Sequence, residues 1–68
     1  MIMAWVAVDK DGFESVFDCE PYRDEILGIW SYGEYGSEIQ LPKGSIKKLI
    51  DRELTWEDEP VELEEAAE

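Results

Sequence analysis

The chain has 68 residues, of which 44% are hydrophobic and 35% are charged, and this size allows one small domain. A single cysteine and no histidine exclude an intramolecular disulfide and a Cys/His zinc site. The net charge of −12 disfavours direct binding to nucleic acid or to an anionic membrane, because both attract clustered lysine and arginine. A basic protein partner is compatible with this charge.

The first part of the chain predicts a β-hairpin. Residues 1–8 are apolar on both alternating faces, which indicates a strand that is central or covered by a partner. Residues 9–12 form a turn, because Gly12 tolerates a positive φ and the aspartates can bond to nearby amides. Residues 13–19 are then the returning strand.

The next segment predicts a break and a third strand. Pro21 lacks a backbone donor, so we expect residues 20–24 to interrupt the ladder. Residues 25–32 read as a strand with Ile26 and Trp30 on one face.

The second half predicts a strand, a helix and a short edge strand. Residues 37–41 alternate between polar and apolar side chains, and residues 60–63 could form a last strand. Ser45 is a suitable N-cap for a helix. Helical spacing then places four apolar side chains on one face: Ile46, Leu49, Ile50 and Leu54.

These elements predict an α+β fold, with a small antiparallel sheet of three to five strands and one short helix packed on it. A small SH3-like barrel is the alternative architecture. We expect residues 1–63 to form a single domain and residues 64–68 to be an acidic, disordered tail. The expected core comprises Trp5, Phe17, Trp30, Ile39, Ile46, Leu49 and Ile50.

Catalysis is not expected. Serine–histidine chemistry requires a histidine, and the glycines do not fit a nucleotide-binding loop. Cys19 lacks a neighbouring base or positive charge that would activate a thiolate nucleophile. We therefore expect no enzymatic activity, no cofactor and no bound metal.

Two groups of residues are candidates for protein binding. Tyr32 and Tyr35 flank a glycine-rich turn, and aromatic side chains are enriched at protein interfaces. Glu57, Asp58 and Glu59 form an acidic run in residues 53–68, which hold eight acidic and no basic residues. Core or turn packing also explains the aromatic residues, and solubility also explains the acidic ones.

Three functions follow as hypotheses. The main one is a non-catalytic acidic accessory protein that acts through protein–protein binding. The alternatives are a nucleic-acid mimic that inhibits a basic host protein, and a structural homo-oligomer. The acidic C-terminal residues motivate the second, and the first strand, apolar on both faces, motivates the third. The lone cysteine and the lack of a membrane-spanning apolar segment favour a cytoplasmic location.

Residues 5–12, 41–50 and 54–63 resemble a group of short proteins without an established activity, found in phages and mobile elements of intestinal bacteria. The resemblance covers most of the chain, and residues 18–36 match least. It implies a setting, that of a small cytoplasmic accessory protein of phage origin. It implies no chemistry that can be assigned to particular residues.

Overall fold

The computed structural model describes residues 3–34 and 36–64, which contain six strands and one helix. This confirms the predicted α+β class. In chain order the elements are β1 (Met3–Val8), β2 (Glu14–Phe17), β3 (Tyr22–Asp24), β4 (Ile29–Ser31), β5 (Glu38–Leu41), α1 (Ser45–Ile50) and β6 (Val61–Glu64).

Four strands form an antiparallel sheet in the order β5-β2-β1-β6, and β3 and β4 form a separate two-stranded hairpin. Val6 is aligned with Val16 on one side and with Val61 on the other. β1 is therefore a central strand of the sheet. A buried cluster lies on each of its two faces, and a strand that is buried on both faces has no polar alternation.

The first face of the sheet packs against the helix. Val6, Val8, Ile46 and Leu54 form one buried cluster, and Ile46 is only 2% exposed. Since α1 has six residues, which is too few for a helix to be stable alone, its stability depends on this packing.

The opposite face packs against the β3–β4 hairpin. Ala7 and Phe17 meet Trp30 from β4 in a second buried cluster, and Trp5 and Trp56 pack against its border. Loss of a buried tryptophan typically costs about 3–5 kcal/mol, so Trp30 contributes a large part of the stability of so small a domain.

Two residues assigned to the core are exposed. Ile39 is 66% exposed because β5 is an outer strand of the sheet and α1 covers only part of that face. Leu49 is 53% exposed because the short helix buries only Ile46 against the sheet. The helix ends at Ile50, and Asp51 adopts the left-handed conformation. The expected burial of Ile39 and Leu49 is therefore wrong.

The helix begins differently from the expectation. Gly44 occupies the N-cap position with φ of 92°, and Ser45 is the first helical residue. The hydroxyl of Ser45 donates to the carbonyl of Pro42. The carboxylate of Glu14 accepts hydrogen bonds from the amides of Gly44 (2.8 Å) and Ile46 (2.9 Å), so a residue distant in sequence satisfies the first turn.

The predicted third strand is also wrong. β3 begins directly after the buried Pro21, where an interruption was expected. Residues 25–28 form a turn, with Gly28 at φ of 72°, and only Ile29–Ser31 continues as β4.

The ends of the chain are only partly described. β6 extends to Glu64, one residue beyond the expected end of the domain. Residues 65–68, most of the expected tail, and residues 1–2 lie outside the described residues.

Candidate functional site

The turn of the β3–β4 hairpin is held by its own backbone and by one carboxylate. A side-chain oxygen of Asp24 accepts hydrogen bonds from the amides of Ile26 and Leu27, both at 3.1 Å. The amide of Gly28 donates to the carbonyl of Asp24 at 2.8 Å. The positive φ of Gly28 suits glycine, which carries no Cβ. These bonds give the turn a defined shape.

The inner side of the hairpin is fixed to the sheet through Trp30. Its indole Nε1 donates to the carbonyl of Val8 at 2.8 Å, and its amide donates to a carboxylate oxygen of Asp9 at 3.0 Å. The amide of Lys10 donates to the carbonyl of Gly28 at 3.0 Å, which joins the tip of the hairpin to the β1–β2 turn. The hairpin is therefore attached at both its strand and its tip.

Arg23, opposite Trp30 on β3, completes this attachment. Its guanidinium carbon lies 4.8 Å from the ring centroid of Trp30 and 5.2 Å from that of Trp56. Its Nη2 donates to the carbonyls of Trp56 (2.9 Å) and Asp58 (3.3 Å). Its buried Nε has no hydrogen-bond partner among the described residues. We call Arg23, Trp30 and Trp56 the anchor.

The outer side of the hairpin is apolar and open to solvent. Ile26 is 95% exposed, Leu27 68% and Tyr22 59%, and Ile29 is at the limit of exposure at 36%. Ile26 and Leu27, which have most of their surface in solvent, contribute little to the core of their own domain. We call these four residues, Tyr22, Ile26, Leu27 and Ile29, the hairpin surface.

Acidic residues flank the hairpin surface. Glu20 and Glu25 are exposed, and Asp24 is half-buried. Arg23 is the one basic residue in β3 and β4, and its guanidinium is directed inward to the anchor. The arrangement is an apolar surface with negative charge beside it. It offers contact area to a partner.

Two carboxylates outside the hairpin surface, those of Asp9 and Asp18, have shifted pKa values. Partial burial raises the pKa of Asp9, with nearby Glu38 and Asp11 adding to the effect and the Trp30 amide opposing it. The amide and hydroxyl of Ser37 donate to Asp18 and lower its pKa. Both carboxylates accept hydrogen bonds that hold loops in place, which is a structural role.

None of the sequence-predicted site residues that the structure describes belongs to the hairpin surface. Tyr32 follows β4, is 38% exposed and packs against Phe17 with a centroid distance of 5.9 Å. Glu57 and Glu59 are exposed. Asp58 is half-buried, and its carboxylate accepts hydrogen bonds from the amide and hydroxyl of the exposed Thr55. Tyr35 lies outside the described residues.

The sequence reasoning missed Ile26 and Leu27, which it placed in a regular strand. The sequence does contain a signal for a turn, because Asp24 precedes and Gly28 follows these two residues. Aspartate bonds to amides a few residues ahead of it, and glycine supplies the left-handed position that ends many turns. Read in this way, Ile26 and Leu27 belong to a turn, where apolar side chains have no core to enter.

A groove of about 700 Å³ lies between the helix and the β1–β2 turn. Its floor is apolar, with Val8, Ile46 and Leu54. Four lysines and four carboxylates line it together, namely Lys10, Lys43, Lys47, Lys48, Asp9, Glu14, Asp51 and Glu53. The opposite charges balance, so this lining selects neither an anionic nor a cationic ligand.

Among residues 3–34 and 36–64, no three His, Cys, Asp or Glu side chains are clustered so that they could hold a metal ion. Within the same residues, no helix combines the length and the apolar composition needed to cross a membrane. Comparisons of the chain with protein-family models, with curated proteins and with solved structures find no match.

Proposed function

We propose that the protein is a non-catalytic, acidic accessory module that binds another protein through the hairpin surface. The observation that carries this proposal is the combination of a fixed turn with two highly exposed aliphatic side chains at its tip, Ile26 and Leu27. Exposed apolar residues are common singly, whereas a contiguous apolar group in a held conformation is typical of a binding surface.

Preorganisation is the physical advantage of this arrangement. A flexible loop loses conformational entropy on binding, which reduces the net affinity. The hairpin has already lost most of that freedom, because Asp24 holds its tip and the anchor holds its base. The free energy gained by burying Ile26 and Leu27 is then available for affinity.

The charge around the hairpin surface indicates the kind of partner. An apolar recess with basic residues at its rim would accept Ile26 and Leu27 and attract Glu20 and Glu25. The net charge of −12 would speed the encounter with such a protein. Tyr32 lies one residue beyond β4, and we place it at the border of the contact. The cellular setting that we propose is the cytoplasm.

The test begins with capture of a partner from the lysate of an intestinal bacterium and continues with the purified pair. The double variant Ile26→Ser, Leu27→Ser should bind at least tenfold more weakly, because truncation of a central hot-spot residue costs about 2 kcal/mol or more and about 1.4 kcal/mol corresponds to a factor of ten. Leu49→Ser removes another exposed leucine, 53% exposed against 68% for Leu27, and should bind within twofold of the wild type. Equal affinity of the double variant and the wild type would reject the proposal.

Salt dependence separates this function from nucleic-acid mimicry. A mimic replaces phosphates in a basic groove, so its affinity falls steeply as salt rises. Binding through the hairpin surface should keep most of its affinity in high salt, because burial of apolar area is not screened. A steep loss of affinity with salt, with no effect of the double variant, would favour the mimic.

A further inference from the structure

The two outer strands of the sheet differ in how readily they could pair with a further strand. β5 and β6 are the outer strands that the described residues form, and an outer strand exposes a row of backbone donors and acceptors. Proteins commonly prevent unwanted pairing at such an edge with charged residues or proline. β6 follows Pro60 and contains Glu62 and Glu64, whereas β5 contains one charged residue, Glu38.

Self-pairing of β6 is electrostatically unfavourable in the antiparallel register centred on Glu62. In such a register even-numbered residues lie opposite even-numbered residues, because side chains alternate along a strand. Glu62 of one copy would then face Glu62 of the other, and like charges opposite each other are destabilising.

β5 has a register without this conflict. If two copies of β5 pair around Ile39, the Ile39 side chains of both copies are adjacent. Glu38 of each copy then lies opposite Gln40 of the other, and the amide of glutamine can donate to a carboxylate. The same alternation that opposes pairing of β6 therefore favours pairing of β5.

The side chain at the centre of that register is also exposed. Ile39 is 66% exposed and lies beside Val16 of β2, which is half-buried. Apolar surface thus continues from the interior of the sheet to its β5 edge. A second copy would bury both Ile39 side chains against each other and against this surface.

We propose that a second copy of the chain binds along β5 in antiparallel orientation, centred on Ile39, so that two four-stranded sheets join into one of eight strands. Two strands of four residues bury less than the roughly 1,200 Å² typical of stable complexes, so the contact is weak and reversible. Each copy carries a net charge of −12, and mutual repulsion opposes association at low salt.

Sedimentation equilibrium of the full chain tests this proposal. Between about 0.01 M and about 1 M ionic strength the screening length falls from roughly 30 Å to roughly 3 Å. The apparent mass should therefore rise from 7.9 kDa toward twice that value at high salt and high protein concentration. A monomer under all conditions, or association that weakens as salt rises, would overturn the proposal.

Two variants locate the contact. Ile39→Lys should remain monomeric, because it places two ammonium groups side by side at the centre of the contact. Leu49→Lys makes the same change of charge at an exposed helical position and should associate like the wild type. Circular dichroism checks that both are folded. Equal association of Ile39→Lys and Leu49→Lys would contradict the assignment to β5.

A third variant tests the register, and a fourth separates this proposal from the proposed function. Gln40→Glu changes an exposed residue and places glutamate opposite glutamate. It should therefore associate more weakly than the wild type at an intermediate salt concentration where the wild type is partly dimeric, and the difference should shrink at high salt. Equal association of Gln40→Glu and the wild type at that intermediate salt concentration would rule out the register centred on Ile39. The double variant Ile26→Ser, Leu27→Ser should associate like the wild type, and its loss of association would move the contact to the hairpin surface.

Discussion

The guanidinium of Arg23 stacks on the indole of Trp30 at 4.8 Å, and the two residues lie directly opposite each other on β3 and β4. This contact stabilises a hairpin whose two strands have only three residues each. A two-stranded hairpin is only marginally stable alone, so the contacts on its inner side are needed to hold its outer side in place. The hairpin surface therefore depends on the anchor beneath it.

Replacement of Arg23 should destabilise the domain more than its partial exposure suggests. Arg23→Ala removes two stacking contacts and the hydrogen bonds to Trp56 and Asp58, and we expect a loss of about 2–3 kcal/mol. Urea denaturation followed by tryptophan fluorescence measures this loss. Arg52→Ala, at an exposed position, is the control and should stay within about 0.5 kcal/mol. Equal effects of the two variants would contradict the role of the anchor.

Gly36 is required by a close approach to Cys19. A Cβ at position 36 would lie 2.6 Å from the sulfur of Cys19, so Gly36→Ala should cost about 1–3 kcal/mol. Gly33→Ala meets no atom within 4 Å and should have a much smaller effect. Cys19→Ala in the Gly36→Ala background should recover part of the stability. The absence of coupling in this double-mutant cycle would show that the two residues do not meet.

Asp9 should give the stability a defined pH dependence. Its raised pKa means that the folded protein holds the proton more tightly than the unfolded chain, whose ordinary value is 3.8. The stabilising contribution of protonated Asp9 is therefore lost as pH rises from below 3.8 through the raised folded-state value, and it does not change further above that value. Asp9→Asn keeps an oxygen acceptor for the Trp30 amide and lacks this loss.

The measurement is urea denaturation of the wild type and Asp9→Asn at a series of pH values. The stability of the variant relative to the wild type should increase as pH rises above 3.8 and then reach a plateau. The contribution of Asp18 acts in the opposite direction but is common to both proteins, so it cancels. A relative stability that is flat or falling over this range would contradict the account.

The tip of the hairpin should loosen when its carboxylate is removed. Asp24→Ala removes the acceptor for the amides of Ile26 and Leu27. These hydrogen bonds are worth about 1–2 kcal/mol, so hydrogen exchange at the two amides should become about fivefold to thirtyfold faster. Glu25→Ala changes an exposed neighbour and should leave both rates unchanged. Equal exchange in Asp24→Ala and the wild type would show that another contact holds the tip.

The sequence predicts those parts of the fold that depend on alternation and on local turn chemistry. β1 is apolar on both faces, β5 alternates between polar and apolar side chains, and the approximate positions of β1, β2 and β5 are confirmed. The apolar spacing of Ile46 and Leu54 also indicates the cluster beneath the helix. These features arise from side chains that are close together along the chain.

The remaining features depend on distant contacts. Glu14 caps a helix thirty residues away, and no local sequence pattern predicts this hydrogen bond. Ile39 is exposed because β5 is an outer strand, and the order of strands in a sheet is a tertiary property. The hairpin surface was missed because a regular strand explains the apolar residues of 25–32 equally well until Asp24 and Gly28 are recognised as the ends of a turn.

Photo-crosslinking from the tip of the hairpin tests the central claim most directly. Chemical synthesis can place a diazirine analogue of leucine at position 27 in one protein and at position 49 in another, and both leucines are exposed. In the lysate of its native cell, the first protein should crosslink to a discrete partner and the second should not. Crosslinking to that partner from position 49 alone, or equally from both positions, would contradict the hairpin surface as the binding site.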